Sequence, residues 1–202
     1  PSHRWLIKEG PGRRKQVIDA LVAGKDWAPL LVGFSGVGEI SNGLDLRGLD
    51  LSGLDLRRAR LEKAHLEHAC LKGANLGGMS VKYAFLREAD LAGAELSGAD
   101  LTGADFQATG LEGARMDGIS ARGTRFSASR MNGASMREAN VSGADFRNSR
   151  MEGVDMKGAN ANFASFACTF ARGLLAANGT FKKSNWYKST VSDADFRGAA
   201  LT

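Results

Sequence analysis

From Leu46 onward a bulky apolar residue recurs at every fifth position, and the phase never slips through to Leu201. Of the 32 positions in that register, 28 hold Leu, Phe, Met, Val or Trp, and the exceptions are Ala121, Ala161, Ala171 and Ala176. Two residues before each centre lies a small or apolar residue, Ala in 17 cases. Gly stands two after the centre in half of the repeats. The residue just before the centre is often Asp or Asn, as in Ala89-Asp90-Leu91, Ala99-Asp100-Leu101 and Ala74-Asn75-Leu76.

A period of five suits neither a helix, at about 3.6 residues per turn, nor a plain strand, at about 2. It reads as a short extended segment followed by a corner. Two inward positions, two residues apart, fit strand alternation. The Gly two after the centre falls where the chain must turn, and Gly adopts the backbone angles a corner needs. A chain that turns the same way at every corner becomes a coil. The many small residues and low aromatic share, 7%, agree with a narrow interior repeated many times.

These residues strongly resemble the pentapeptide-repeat family, whose motif is Ala-(Asp/Asn)-Leu-x-x. The resemblance covers residues 44–202. It implies an all-β fold, a right-handed quadrilateral β-helix with four repeats per coil and the central and minus-two side chains inward. Eight coils are expected, stacked at strand spacing into a rod on the order of 38 Å long. Residues twenty apart then form ladders. One runs Leu46, Leu66, Leu86, Phe106, Phe126, Phe146, Phe166 and Trp186; the next runs Leu51, Leu71, Leu91, Leu111, Met131, Met151, Ala171 and Val191.

Residues 1–43 carry no repeat and read as a small helical N-terminal cap and loop over the first coil. Arg13–Val22 has the pattern of a short amphipathic helix, ended by Gly24, with Val17, Ile18, Leu21 and Val22 on one face. Trp27, Leu30, Leu31 and Phe34 continue the apolar pattern, and the stretch from Gly33 to Gly43 reads as a loop. Leu44, Leu49 and Leu54, bulky at the usually small position, are expected at the junction. No cap is visible at the other end. There Phe163, Phe170, Leu175 and Tyr187 fall at outward positions, a candidate interface. Several family members dimerise through their C-terminal coils, so the resemblance implies a homodimer; the plainer alternative tucks these side chains inward.

No run of apolar residues is long enough for a transmembrane helix, and no secretory leader opens the sequence. With only two cysteines, Cys70 and Cys168, this points to a reducing, cytoplasmic setting with free thiols. No catalytic constellation emerges. The repeated Asp residues are expected to satisfy corner amides or solvate the faces. His65, Glu67, His68 and Cys70 form the one cluster resembling metal ligands, read as surface residues; Gly36-Val37-Gly38 lacks the rest of a phosphate loop. No metal, cofactor or enzymatic activity is therefore expected.

The net charge of +5 leaves room for an acidic partner. Arg125, Arg130, Arg147, Arg150 and Arg172 form a candidate basic strip over two adjacent faces, broken by Asp145 and Glu152, the plainer reading being a solvated mixed-charge surface. The first reading of function is a non-catalytic protein-interaction scaffold. The second, from family resemblance, is binding to DNA gyrase or another type II topoisomerase by duplex mimicry, as in drug or toxin protection. The third, binding of nucleic acid or an acidic partner through the Arg strip, ranks last.

Overall fold

The structure, a computed structural model, describes residues 18–20, 22–23 and 44–202. Over the repeat, with the exception of Arg60, each residue just before a centre bridges in parallel to the one twenty positions on, from Asp45 with His65 to Thr180 with Ala200. The chain is therefore a repeat β-solenoid that closes one turn every four five-residue segments. We call the sides by their first members: the first face starts at Asp45, the second at Asp50, the third at Asp55 and the fourth at Arg60.

Each bridge is one residue wide. Leu46 N–H donates to the His65 carbonyl at 2.7 Å, and His65 N–H donates back to the Leu44 carbonyl at 2.8 Å. At the corner Gly48 N–H donates to the Glu67 carbonyl at 3.0 Å, again one coil on. The backbone polar groups are thus paired along the axis, which is what lets so thin a core remain dry.

The corner itself is a four-residue turn. Leu49 N–H donates to Leu46 C=O at 3.2 Å, and Gly48, the third residue, has φ +65°. A turn with its third residue at positive φ is the type II arrangement, and Gly is the residue that enters it without strain. Where another residue stands at that position the chain still takes the same angle, as at Lys63, Ala108 and Phe163. Arg58 departs from the pattern, having no positive φ. Arg60, two residues later, is also the only residue just before a centre from 45 to 180 that makes no bridge to its partner one coil on.

That irregular corner is where the N-terminal segment meets the solenoid. Residues 18–20 and 22 are helical, and Ala23 N–H donates to Asp19 C=O at 3.0 Å. Ile18 and Val22 pack, half-buried, against the core. A cleft there is lined by Val22, Asp55, Arg57 and Arg58. The expected helix thus has described residues at 18–20 and 22; Trp27, Leu30, Leu31, Phe34 and the expected loop lie outside the described residues. Leu44 and Leu49 are buried and Leu54 is partly buried on the core.

Inside, the expected ladders form. Phe106, Phe126, Phe146 and Phe166 are fully buried, with successive ring centroids 5.3, 5.1 and 4.9 Å apart, and Trp186 follows at 4.1 Å. The last three contacts are within 8° of parallel. Strand spacing, about 4.8 Å, imposes this stacking on rings that would otherwise offset. Thr109, Ser129, Ser149 and Thr169 are also buried, and each hydroxyl donates to a backbone carbonyl at 2.6–3.0 Å. Burial without those bonds would cost each hydroxyl about 1–3 kcal/mol.

Candidate interaction surface

Three outward positions per repeat build the surface. The residue before the centre and the one after it share a face, and the next lies at the corner. Asp or Asn before the centre accepts a hydrogen bond from the N–H of the residue after it: Asp100 from Thr102 at 3.0 Å, Asp145 from Arg147 at 3.0 Å, Asn75 from Gly77 at 3.1 Å. This amide lies outside the axial ladder, so the carboxylate or amide oxygen is its partner. The repeated acids are therefore structural, as their pattern suggested. Where Asp or Asn is absent, a side chain one coil back can substitute. Asp117 accepts from Arg137 N–H at 3.0 Å and Asn132 from Glu152 N–H at 3.1 Å.

Both carboxylate oxygens also attract bases. Within one repeat Arg57 grips Asp55, Arg147 grips Asp145 and Arg197 grips Asp195, each through Nε and one terminal nitrogen at 2.6–2.9 Å. The hydrogen bonds from Arg57 and Arg197 hold the carboxyls of Asp55 and Asp195 at about 2. Between coils the pairs lie eighteen residues apart, as in Arg87 with Asp105 and Arg137 with Asp155, both 2.7 Å.

The expected basic strip spans two adjacent faces as its register predicted, with Arg125 and Arg147 on the first and Arg130, Arg150 and Arg172 on the second. Its charge is largely matched. Arg130 pairs with Glu112 at 2.7 Å, Arg147 with Asp145 at 2.8 Å, Arg172 with Asp193 at 3.1 Å and Arg125 with Asp105 at 3.6 Å. Gly110 makes room for this: a Cβ there would lie 2.7 Å from an Arg130 nitrogen. Among the described residues Arg150 has no such partner.

Of the candidate interface, Phe163, Phe170 and Tyr187 are 64%, 55% and 65% exposed, and Leu175 is half-buried. The structure does not gather them into one patch. Phe163 lies at the corner between the fourth and first faces, Phe170 on the second, Leu175 on the third and Tyr187 on the first, so they girdle the rod. Lys183 Nζ sits 5.6 Å from the Phe163 ring centre and Lys188 Nζ 5.2 Å from that of Tyr187. The sequence reading passed over Tyr83, 54% exposed at the corner of Phe163's column four turns earlier. The rule that flagged Phe163, an aromatic out of the central register, would have found it. Both rings stand at positive φ, +57° and +61°, where Gly103, Gly123 and Gly143 occupy the column between them. A bulky residue there is strained by about 1–2 kcal/mol.

The histidine cluster spreads over two faces, with His65 and Glu67 on the first, His68 at the corner and Cys70 on the second. His65 Nδ1 lies 3.2 Å from Glu67 and its ring stacks on Phe85 at 4.8 Å; His68 Nδ1 lies 3.4 Å from Glu88. No group of three or more metal-binding side chains converges among the described residues. Cys70 and Cys168 are free and half-buried, and no described helix is long and apolar enough to cross a membrane.

A family model for pentapeptide repeats, in eight copies, matches residues 42–78, 69–107, 107–143 and 142–173. Among solved structures the chain is similar to HetL, a pentapeptide repeat protein involved in heterocyst differentiation regulation from the cyanobacterium Nostoc sp. strain PCC 7120. Identity is 25% and the TM-score 0.55, over 79% of this chain and 81% of HetL. It is also similar to trypsin-treated QnrB1, a plasmid-mediated fluoroquinolone resistance protein, at 18% identity and a TM-score of 0.44, over 78% of this chain and 72% of QnrB1. No curated protein matches the chain.

Proposed function

Because the chain belongs to the pentapeptide-repeat family, we propose that it is a non-catalytic scaffold for protein–protein interaction. The observation that carries this is the pair of strained, exposed aromatic corners, Tyr83 and Phe163. Glycine would relax both positions, so the rings are kept at a cost to the fold, and large exposed aromatics are the usual anchors of protein interfaces. The regulatory role of HetL agrees with such a part.

In the full reading the rod is right-handed and has eight coils, residues 1–43 cap its first coil, and residues 44–202 form the β-helix. The chain works in the cytoplasm as a homodimer joined through its C-terminal coils. Support for the pairing lies in the exposed Phe163, Phe170 and Tyr187 of the later coils. Large exposed apolar side chains favour burial against a second copy.

Engagement of DNA gyrase or another topoisomerase by duplex mimicry is the competing reading. A mimic needs an unneutralised acidic face. Here Asp100, Asp105, Asp145, Asp155 and Asp195 each hold a basic partner. A gyrase supercoiling assay with and without a fluoroquinolone separates the two. Inhibition or drug rescue at micromolar protein would establish the topoisomerase reading. No effect, together with loss of a captured partner in Phe163→Gly, would support the scaffold.

A further inference from the structure

The fourth face differs from the others in the polarity of its hydrogen bonds. From Thr102 to Thr202 its face positions hold no carboxylate, whereas the first three faces carry Asp105 and Asp145, Glu112 and Glu152, and Asp117 and Asp155 over the same coils. Its residues before the centre are Ser120, Asn140, Asn160 and Thr180, bridged in one column. Beside them run Arg122, Ser142, Asn162 and Lys182. The margin toward the third face bears Glu138, and the opposite margin bears Lys183.

The asparagines are oriented by the fold. Asn140 Oδ1 accepts from Ser142 N–H at 3.3 Å. Asn160 Oδ1 accepts from Asn162 N–H and from the Thr180 hydroxyl, both at 3.2 Å. Asn162 Oδ1 accepts from Lys182 N–H at 2.8 Å. A backbone N–H can only donate, so each amide oxygen is committed inward and its NH2 group is left to donate elsewhere. These three NH2 groups have no acceptor among the described residues. Arg122, Lys182 and Lys183 are exposed and, among the described residues, hold no ion pair. Asp at the corresponding position on other faces caps the same amide and leaves an acceptor outward; Asn leaves a donor.

We propose that this carboxylate-free, donor-rich face is a docking surface for an acidic, acceptor-rich segment of a partner protein. The inference rests on the scaffold reading and names the face and the chemistry of its partner. Carboxylates can take hydrogen bonds from the amide ladder and charge-assisted bonds from the three cations. Nucleic acid fits less well. Binding to phosphate backbones draws on roughly six to ten contacts, and this face offers three cations between neighbours rich in carboxylates.

The test uses the full chain and a fluorescein-labelled octaglutamate peptide, read by anisotropy at low salt. Reversal of Arg122, Lys182 and Lys183 to Glu is expected to weaken binding at least about tenfold. Reversal of Arg125, Arg147 and Arg172, an equal change of net charge on other faces, is expected to change it less than about threefold. Asn140→Asp alone keeps its cap, yet is expected to weaken the peptide, because a donor becomes a charged acceptor. Equal loss from both reversals would overturn the proposal, as would no binding at millimolar peptide or tighter binding of an oligothymidylate than of the peptide. If the peptide fails while a natural partner still depends on Phe163, the donor face falls and the scaffold reading stands.

Discussion

The coils before Phe106 and those after it fill the same cross-section in different ways. The early coils set four aliphatic centres against one another, as in Leu86, Leu91, Leu96 and Leu101. Later ones bring in an aromatic and remove bulk elsewhere in the same turn: Phe106 with Ala121, Phe126 with Val141, Phe146 with Ala161, and Phe166 and Phe181 with Ala171 and Ala176. All four alanines at central positions fall in turns that hold a Phe. What is conserved along the rod is the volume of a coil, not the residue at each site, as close packing demands. The corner responds too. In the column three residues after the first-face centre, Leu49, Ala69 and Ala89 give way to Thr109, Ser129, Ser149 and Thr169 once Phe replaces Leu.

The strongest challenge to this comparison is Phe146→Ala, which removes the middle of the stack and is expected to cost about 3–5 kcal/mol in urea unfolding. Leu86→Ala should cost less than Phe146→Ala, because no stacked pair is lost with it. A sharper probe is the cycle of Phe146→Leu and Ala161→Leu. Each alone should destabilise by about 1–3 kcal/mol, one by a void and the other by overpacking. The double variant should recover most of that loss; additive costs would refute volume exchange within a coil. Smaller still, Phe163→Gly and Tyr83→Gly should each raise stability by up to about 1 kcal/mol by relaxing positive φ, one in each region. Ser149→Ala should cost about 1 kcal/mol through its lost bond to Phe146 C=O.

Acid should loosen both ends alike and so blur the comparison. Asp55 and Asp195 have folded values of about 2, below the ordinary 3.8. A depressed carboxyl contributes its stability above the unfolded value and loses it as pH falls through the folded one. Melting temperatures should therefore decline between about pH 4 and pH 2, and less so in Asp195→Asn, which lacks the titrating group.

The period of five made the interior legible, since a single register carries the core, the corner glycines and the twenty-residue ladders. The acids' role followed from their place one residue before the centre. The meaning of the four alanines escaped that reading because it requires summing side chains around a coil, whereas the pattern was read along columns. For the Arg strip the mixed-charge alternative was on the table, but the pairings between coils were not read. Arg130 meets Glu112 across eighteen residues, a separation that appears only once the coils are stacked. The girdle of Phe163, Phe170, Leu175 and Tyr187 was likewise read as neighbours in sequence, although steps of five carry the chain around successive sides.

Bridges fixed at twenty residues, with four corners to the turn, give the surface an arithmetic of its own. Insertion of a single repeat would leave every buried side chain facing inward but rotate all later residues by a quarter-turn, delivering them to the wrong side. Insertion of four repeats would lengthen the rod and keep every face continuous. Length changes in such a chain are therefore tolerated by the core at one step size and by the surface at another, and a functional face acts as a reading frame four repeats wide.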